Sequence, residues 1–404
     1  MVWRLLVMFD RILPFTSMKK NLKSVSQNVV LLGIVSFLND LSSEIIIPVL
    51  PMFITALGGG GMAVGLTGGL RDSVSSLLKV FSGYWSDRTG KRKVFIISGY
   101  LTSAVFKFFL VFATIWQHIS LFTGLERVGK GLRTAPRDAI IADSMPDQRG
   151  KGFGIHRALD TAGAIVGSVI AFLLVWFLEF DIKTIILAAS VIALFSLIPL
   201  WFVKEPPGKP KKVSLKVGLK SLPSSLKVFL LVAGIFAFAN FSYMFFILRA
   251  QQLFEGKWAM GAPILLYVLY NVFYAGLSIP FGKLSDKAGR KKVLAAGYLL
   301  FVITSLGFAF FNSLTAYILL FALYGTVFAI IDGNQRAIVS DLAPEGLKAT
   351  ALGAFHTVTG LVTLPSSLLA GLLWQINPAL TFGFGAAVSL VSVVLFILFG
   401  NKFR

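Results

Sequence analysis

Inside an otherwise apolar run, FLNDLSSEIIIPVLP (residues 37–51) gathers Asn39, Asp40, Ser42, Ser43 and Glu44. On a helix, Ser36, Asn39, Asp40, Ser43 and Glu44 fall on one stripe at i, i+3 and i+4 spacing, with Leu38, Leu41 and Ile45 opposite. A carboxyl group in apolar surroundings suits reversible proton carriage. Asp40 and Glu44 are the central candidates for that work, followed by Asp160 and Asp332. Cations recur in similar runs: Arg71 beside Asp72, then Lys79, Lys107, and the series Glu126, Lys130, Arg133 and Arg137. Arg71, Lys130 and Arg133, with Asn39, have the chemistry to hold an anionic substrate group. Asn240, Tyr243, Tyr267, Tyr270, Asn271, Tyr274 and Gln335 offer amide and aromatic contacts further along. The competing account is permanent interhelical ion pairs, and Arg157 with Asp160 at i, i+3 is its plainest case. His156 and His356 have few donors around them that suit a closed metal site. No metal or other cofactor is expected.

What must position these groups follows from composition. The chain has 404 residues, 56% of them hydrophobic and 14% charged, and a mean hydropathy of +0.81. Soluble domains carry about 25% charged residues, so the expected solvent is a lipid bilayer. Cysteine is absent, which excludes disulfides and thiol chemistry. A bilayer crossing needs about 20 mostly apolar residues. By that measure twelve spans are expected, at 27–57, 62–86, 94–116, 119–142, 151–178, 183–203, 226–250, 259–282, 293–312, 314–340, 349–374 and 378–399. The first residues, including WRLLVMFDRIL, lack the pattern of a signal peptide and read as a short amphipathic helix on the membrane surface.

The net charge of +20 would suggest nucleic acid in a soluble protein. Its placement says otherwise. Alternate loops hold Arg88, Lys91, Arg92, Lys93, Arg149, Lys151, Lys283, Lys287, Arg290, Lys291, Lys292 and Lys348, and the tails and central loop join them. Loops such as ALGGGGM and WQHIS on the other side are almost free of lysine and arginine. Positive charge marks the cytoplasmic face, so a multi-pass protein of the cytoplasmic (inner) membrane with both termini on the cytoplasmic side is expected, and no nucleic-acid partner.

The chain also repeats. GYWSDRTGKRK (83–93) and GKLSDKAGRKK (282–292) both read G-x-x-S-D-[RK]-x-G-[KR]-[RK]-K, each after the second span of a set of six. Arg137 matches Arg336 at the offset of the two loops, and at nearly that offset the turns DSMPD (143–147) and DLAPE (341–345) share D-x-x-P-[DE]. The expected organisation is a cytoplasmic segment 1–26, a six-helix bundle 27–203, a linker 204–225 and a second bundle 226–400. Such repeats place a substrate site between the halves, near midplane.

Twelve spans, a central loop and the doubled loop motif resemble the major facilitator superfamily over essentially the whole chain. The resemblance implies an all-α membrane fold of two pseudo-symmetric six-helix bundles. It carries a gating motif onto Gly83, Asp87, Arg88, Gly90 and Arg92, and onto Gly282, Asp286, Lys287, Gly289 and Arg290. In that motif the acid locks one end closed against a neighbouring span's arginine, for which Arg137 and Arg336 are the expected partners. The purely structural alternative is a topology anchor. Span 4 keeps R-x-x-x-G-x-x-x-A as Arg127, Gly131 and Ala135, but is far more cationic through Lys130 and Arg133. Span 5 reads GAIVGSVIAF, keeping Gly163 and Gly167 of the drug:proton antiporter run and placing Ser168 at its proline.

No phosphate-binding loop, H-E-x-x-H or G-x-S-x-G is present, so neither direct ATP drive nor an enzyme is expected. The leading expectation is a monomeric secondary transporter working by alternating access, with protons as coupling ion, that exports small organic or amphiphilic molecules. A proton-coupled symporter of an organic anion and an exporter of inorganic or metal ions stand beside it. A receptor or lipid scramblase on the same fold is the alternative outside transport.

Overall fold

A computed structural model describes residues 25–205, 222–344 and 347–400. The expected surface helix at the start and most of the 204–225 linker lie outside the described residues. Among those described, helices account for every regular element. Ten are long and apolar enough to cross a membrane. Spans 2 (Gly61–Thr89) and 4 (Trp116–Ser144) are equally long, at 29 residues each, and are set apart by their charges.

The first span of each half is broken. In span 1, Gln27–Ile46 stops and Leu50–Ala56 begins around Pro48, which has no N–H to offer the carbonyl of Glu44. In span 7, Ser224–Ala239 and Met244–Gln251 flank a non-helical stretch at 240–243. Spans 5 (Arg149–Trp176), 8 (Trp258–Ala288), 10 (Leu314–Leu342) and 11 (Lys348–Ile376) are continuous.

Within the first half, spans 1 and 5, 2 and 4, and 3 and 4 pack most closely; in the second, spans 8 and 10 and spans 9 and 12 do. Spans 2 with 11, and 5 with 8, join the halves. Small residues permit these approaches. A Cβ on Gly163 or Gly167 would fall on the Phe37 or Leu41 backbone of span 1.

The repeated loops fold alike. Gly90 (φ 69°) and Gly289 (φ 95°) end spans 2 and 8 in backbone that only glycine adopts readily. The residue that starts the next helix is then an arginine in both cases. Arg92 holds Asp87 at 3.2 Å and Asp143 at 2.5 Å. Arg290 holds Asp286 at 3.2 Å and Asp341 at 3.0 Å. This corrects the expected pairing, because Arg137 is taken by Asp138 at 2.9 Å and Arg336 by Asp332 at 2.6 Å. Asp87 and Asp286 lie in the last turn of their helices, so an arginine just beyond the glycine is nearer than one on another span. Arg88 turns back to the Tyr84 hydroxyl at 3.3 Å. Gly83 approaches Ala135 of span 4, whereas Gly282 faces open space, so close helix contact explains only the first of the pair.

Outside the membrane, Asp181 caps span 6, accepting from the Lys183 and Thr184 amides and the Thr184 hydroxyl. The Thr184 hydroxyl first, and the amides with it, hold this carboxyl below its usual range. A depressed value means that the cap stabilises at neutral pH and is lost as pH falls through the carboxylate range. Asp181→Ala is expected to cost about 1 kcal/mol at pH 7 and much less at pH 3, read as melting temperature.

Candidate functional site

Between the halves lies a cavity of about 410 Å³. It begins at the break in span 7 and runs toward the end of the molecule that carries the basic loops. Helical spacing builds its walls. Asp72, Ser76 and Lys79 face it from span 2, and Arg127 and Lys130 from span 4. Asn240 and Tyr243 come from the break in span 7, and Tyr267 and Tyr270 from span 8. Span 10 adds Tyr324, Phe328, Asp332, Gln335 and Arg336, and span 11 adds Phe355, His356 and Thr359. The tyrosines form a continuous surface: Tyr243–Tyr267, Tyr267–Tyr270 and Tyr270–Tyr324 have ring centroids 5.8, 5.5 and 5.0 Å apart.

Wall chemistry differs between the halves. Lys79, Lys130 and Asp72 form no ion pair among the described residues, and no hydrogen bond engages their side chains. Arg336 is paired with Asp332, and Gln335 donates to the Tyr298 hydroxyl at 2.8 Å. The Asn240 side-chain oxygen is buried without a partner. A buried acceptor left open costs free energy unless something fills it, so Asn240 marks a place where a ligand or water donates.

The polar stripe of span 1 is divided among several partners. Ser36 meets Tyr100 at 3.1 Å, His156 at 2.8 Å and Arg137 at 3.2 Å. Asn39 turns away to Lys107, whose ammonium donates to the Asn39 backbone carbonyl at 3.1 Å, to its side-chain oxygen at 3.4 Å and to Ser42 at 3.1 Å. Asp40 lies within hydrogen-bonding reach of Asp160 on span 5. Glu44 crosses to the other half, accepting from the Tyr267 hydroxyl at 3.0 Å and the Asn271 amide at 3.4 Å. Asp332 accepts from the Tyr274 hydroxyl at 2.8 Å.

Of the residues read from the sequence as substrate contacts, Lys130, Asn240, Tyr243, Tyr270 and Gln335 line the cavity. Asn39 does not, because Lys107 occupies it. Arg133 is committed elsewhere too, stacked 4.3 Å above the Tyr100 ring and donating to Ser103 at 2.5 Å. Asn271 and Tyr274 serve Glu44 and Asp332. Arg71 is buried behind Tyr243, 6.0 Å from its ring centroid, beside a second chamber of about 10 Å³. Glu126 and Arg127 form an ion pair there at 2.9 Å, and neither Glu126 oxygen has a hydrogen-bond partner among the described residues. A space that small has room for no more than about one water.

Sequence reasoning missed Asp72, Lys79, Tyr324, Phe328 and His356 as wall residues. The signal was present in their spacing. Tyr324, Phe328 and Ile331 continue to Gln335 at i, i+4, i+7 and i+11, and Asp72, Ser76 and Lys79 repeat the pattern on span 2.

At the end away from the basic loops the halves are closed. Trp176 and Trp258 meet at 4.3 Å between ring centroids, and Lys257 pairs with Glu179 at 2.6 Å. That lysine holds the Glu179 carboxyl below its usual range.

Comparison with known proteins gives a consistent result. A family model described as Major Facilitator Superfamily matches residues 32–266 and 257–402. An uncharacterized MFS-type transporter of Methanocaldococcus jannaschii is 54% identical over 382 residues, covering 94% of this chain and 96% of that one. The multidrug resistance protein MdtH of Aeromonas hydrophila is 24% identical over 330 residues, covering 80% and 81%. The crystal structure of the POT family transporter PepTSo aligns with a TM-score of 0.77 at 14% identity, covering 94% of this chain and 98% of that one.

Proposed function

The chain belongs to the Major Facilitator Superfamily and is a membrane secondary transporter, and we propose that it couples protons to the alternating-access export of a small organic or amphiphilic molecule. The observation that carries this reading is Glu44, an acid inside the membrane that is bonded across the two halves beside a cavity they share. An ionisable group costs several kcal/mol at such depth and is retained where it works. In this reading the basic loops face the cytoplasm, the cavity is entered from that side, and the Trp176–Trp258 contact closes the far side. The substrate lays its apolar body on the tyrosine surface of spans 7, 8 and 10. Its polar group meets Lys79 and Lys130. The name of the Aeromonas relative supports the direction, export.

A second reading, proton-coupled symport of an organic anion, is favoured by one observation: among the described residues, neither Lys79 nor Lys130 on the cavity wall forms an ion pair with a carboxylate. A melting-shift screen of the purified protein with matched aromatic carboxylates, amides and amines separates the readings. Lys79→Ala with Lys130→Ala is expected to abolish any shift caused by carboxylates and to leave shifts by neutral members within about twofold. Equal loss for both classes would remove the lysines from substrate binding.

A further inference from the structure

The i, i+3 spacing of Arg157 and Asp160 explains the arginine as a local partner, and the structure shows a second allegiance. The Arg157 guanidinium gives one nitrogen to Asp160 at 3.0 Å. Its other terminal nitrogen leaves the first half, donating to the Tyr274 hydroxyl of span 8 at 3.2 Å and standing 3.9 Å from Asp332 of span 10. Tyr274 and Arg336 hold that same Asp332 oxygen at 2.8 and 2.6 Å. On the other side, Asp160 is in hydrogen-bonding reach of Asp40. A polar chain therefore runs from span 1 to span 10, and it crosses between the halves at one guanidinium.

Two carboxylates can only accept, so Asp40 and Asp160 can bond to each other only when one proton is shared between them. With that proton the pair carries a single negative charge, which Arg157 balances. A second proton would leave Arg157 with no charged partner in its own half, and Asp332 would be its nearest carboxylate. Loss of the shared proton would draw it back to Asp160. Other charged or titratable groups surround this chain: Glu44 from span 1, Lys79 from span 2, Lys107 from span 3, Lys130, Arg133 and Arg137 from span 4, and His156 from span 5. None of them is bonded to carboxylates of both halves among the described residues.

We propose that Arg157 is the positioning residue that transmits the proton occupancy of the Asp40–Asp160 pair to Asp332, so that protonation in one half sets how tightly spans 5, 8 and 10 are tied. This rests on the proton-coupled reading above and names the link that makes it mechanical. It also gives Arg157, Asp160, Tyr274 and Asp332 one shared purpose.

The absence of native cysteine allows paired spin labels to report the tie directly. Labels at Gly154→Cys on span 5 and Lys283→Cys on span 8 span the basic-loop end of the interface. In reconstituted full-length protein, the distance distribution between them is expected to change between pH 5 and pH 8. Arg157→Met should make it pH-independent, Arg157→Lys should keep part of the response, and Asp160→Asn should fix it at one extreme. A merely structural arginine would shift the mean distance or the melting temperature in Arg157→Met and leave the pH response intact, and that result overturns the proposal. A parent protein whose distances ignore pH overturns it as well. Substrate-dependent proton flux in vesicles of the same samples tells the two failures apart. Flux that persists while the Arg157→Met distances still follow pH refutes only the arginine's part, and absent flux in the parent refutes proton coupling itself.

Discussion

Glu44→Gln is expected to lower proton-driven transport at least about tenfold, equivalent to about 1.4 kcal/mol, while ligand-induced stabilisation and melting temperature stay near native. Glutamine keeps an oxygen for the Tyr267 hydroxyl, which donates at 3.0 Å, so the tie between spans 1 and 8 survives. What glutamine cannot do is take up a proton. Glu44→Leu removes both the tie and the titratable group, and should lower stability as well, by about 1–3 kcal/mol for the donors left unpaired. Uptake of labelled ligand into proteoliposomes, with and without an imposed pH gradient, measures the difference. Gradient-driven uptake by Glu44→Gln at the native rate would assign the proton to another acid.

Gly65→Leu carries the second large effect. Spans 2 and 11 touch along much of their length, and toward the end away from the basic loops a Cβ at Gly65 would overlap the Ser367 carbonyl. The contact joins the two halves, so each six-helix bundle can still pack around the new side chain. Closure at that end cannot occur. Overpacking of this kind costs about 1–3 kcal/mol and more where backbone cannot move, enough to shift an open–closed equilibrium about a hundredfold. The expected outcome is a folded, ligand-binding protein locked open at the far end, with transport abolished. Cysteine accessibility at Ser76→Cys, on the cavity wall, should move to reagents added on that side. Native accessibility with native transport would show that the halves do not need to meet at Gly65.

The sequence made the scaffold legible because the membrane leaves few choices. Apolar runs of the right length become helices, basic loops mark one end, and the two copies of the loop motif place the halves in register. The site was legible only as faces. Asn39, Asp40 and Glu44 do share a stripe, yet Asn39 belongs to Lys107, Asp40 lies against Asp160 and Glu44 reaches the other half. Neighbouring positions on one helix differ by a large angle, and spacing alone does not say which neighbour a given angle meets. Arg133 has the chemistry for an anionic ligand, and it is satisfied by Tyr100, Ser103 and a carbonyl instead. Arg157 was obscured in the opposite way. Its local partner at i+3 was a sufficient explanation, so its contacts with Tyr274 and Asp332 carried no signal in the sequence. Lys79 shares a helical face with Asp72, and a stricter use of spacing on span 2 reaches it.

The loop motif shows how a repeat can keep a contact and change its residue. Arg92 and Arg290 occupy neighbouring, not identical, places in the motif, and each is the first residue of the helix that follows. The turn after Ala288 is one residue shorter than the turn after Thr89. What the two halves preserve is an arginine at a helix start between two carboxylates.

Substrate movement through this cavity is expected to be coupled to protons. The most direct test is proton flux into proteoliposomes that hold the native chain and a pH-sensitive dye. Compounds that raise the melting temperature in the ligand screen are added outside, one at a time. Such a compound is expected to start a proton current which is absent from protein-free vesicles and from Glu44→Gln vesicles. Ligand movement with no accompanying proton current, equal in native and Glu44→Gln protein, would contradict it.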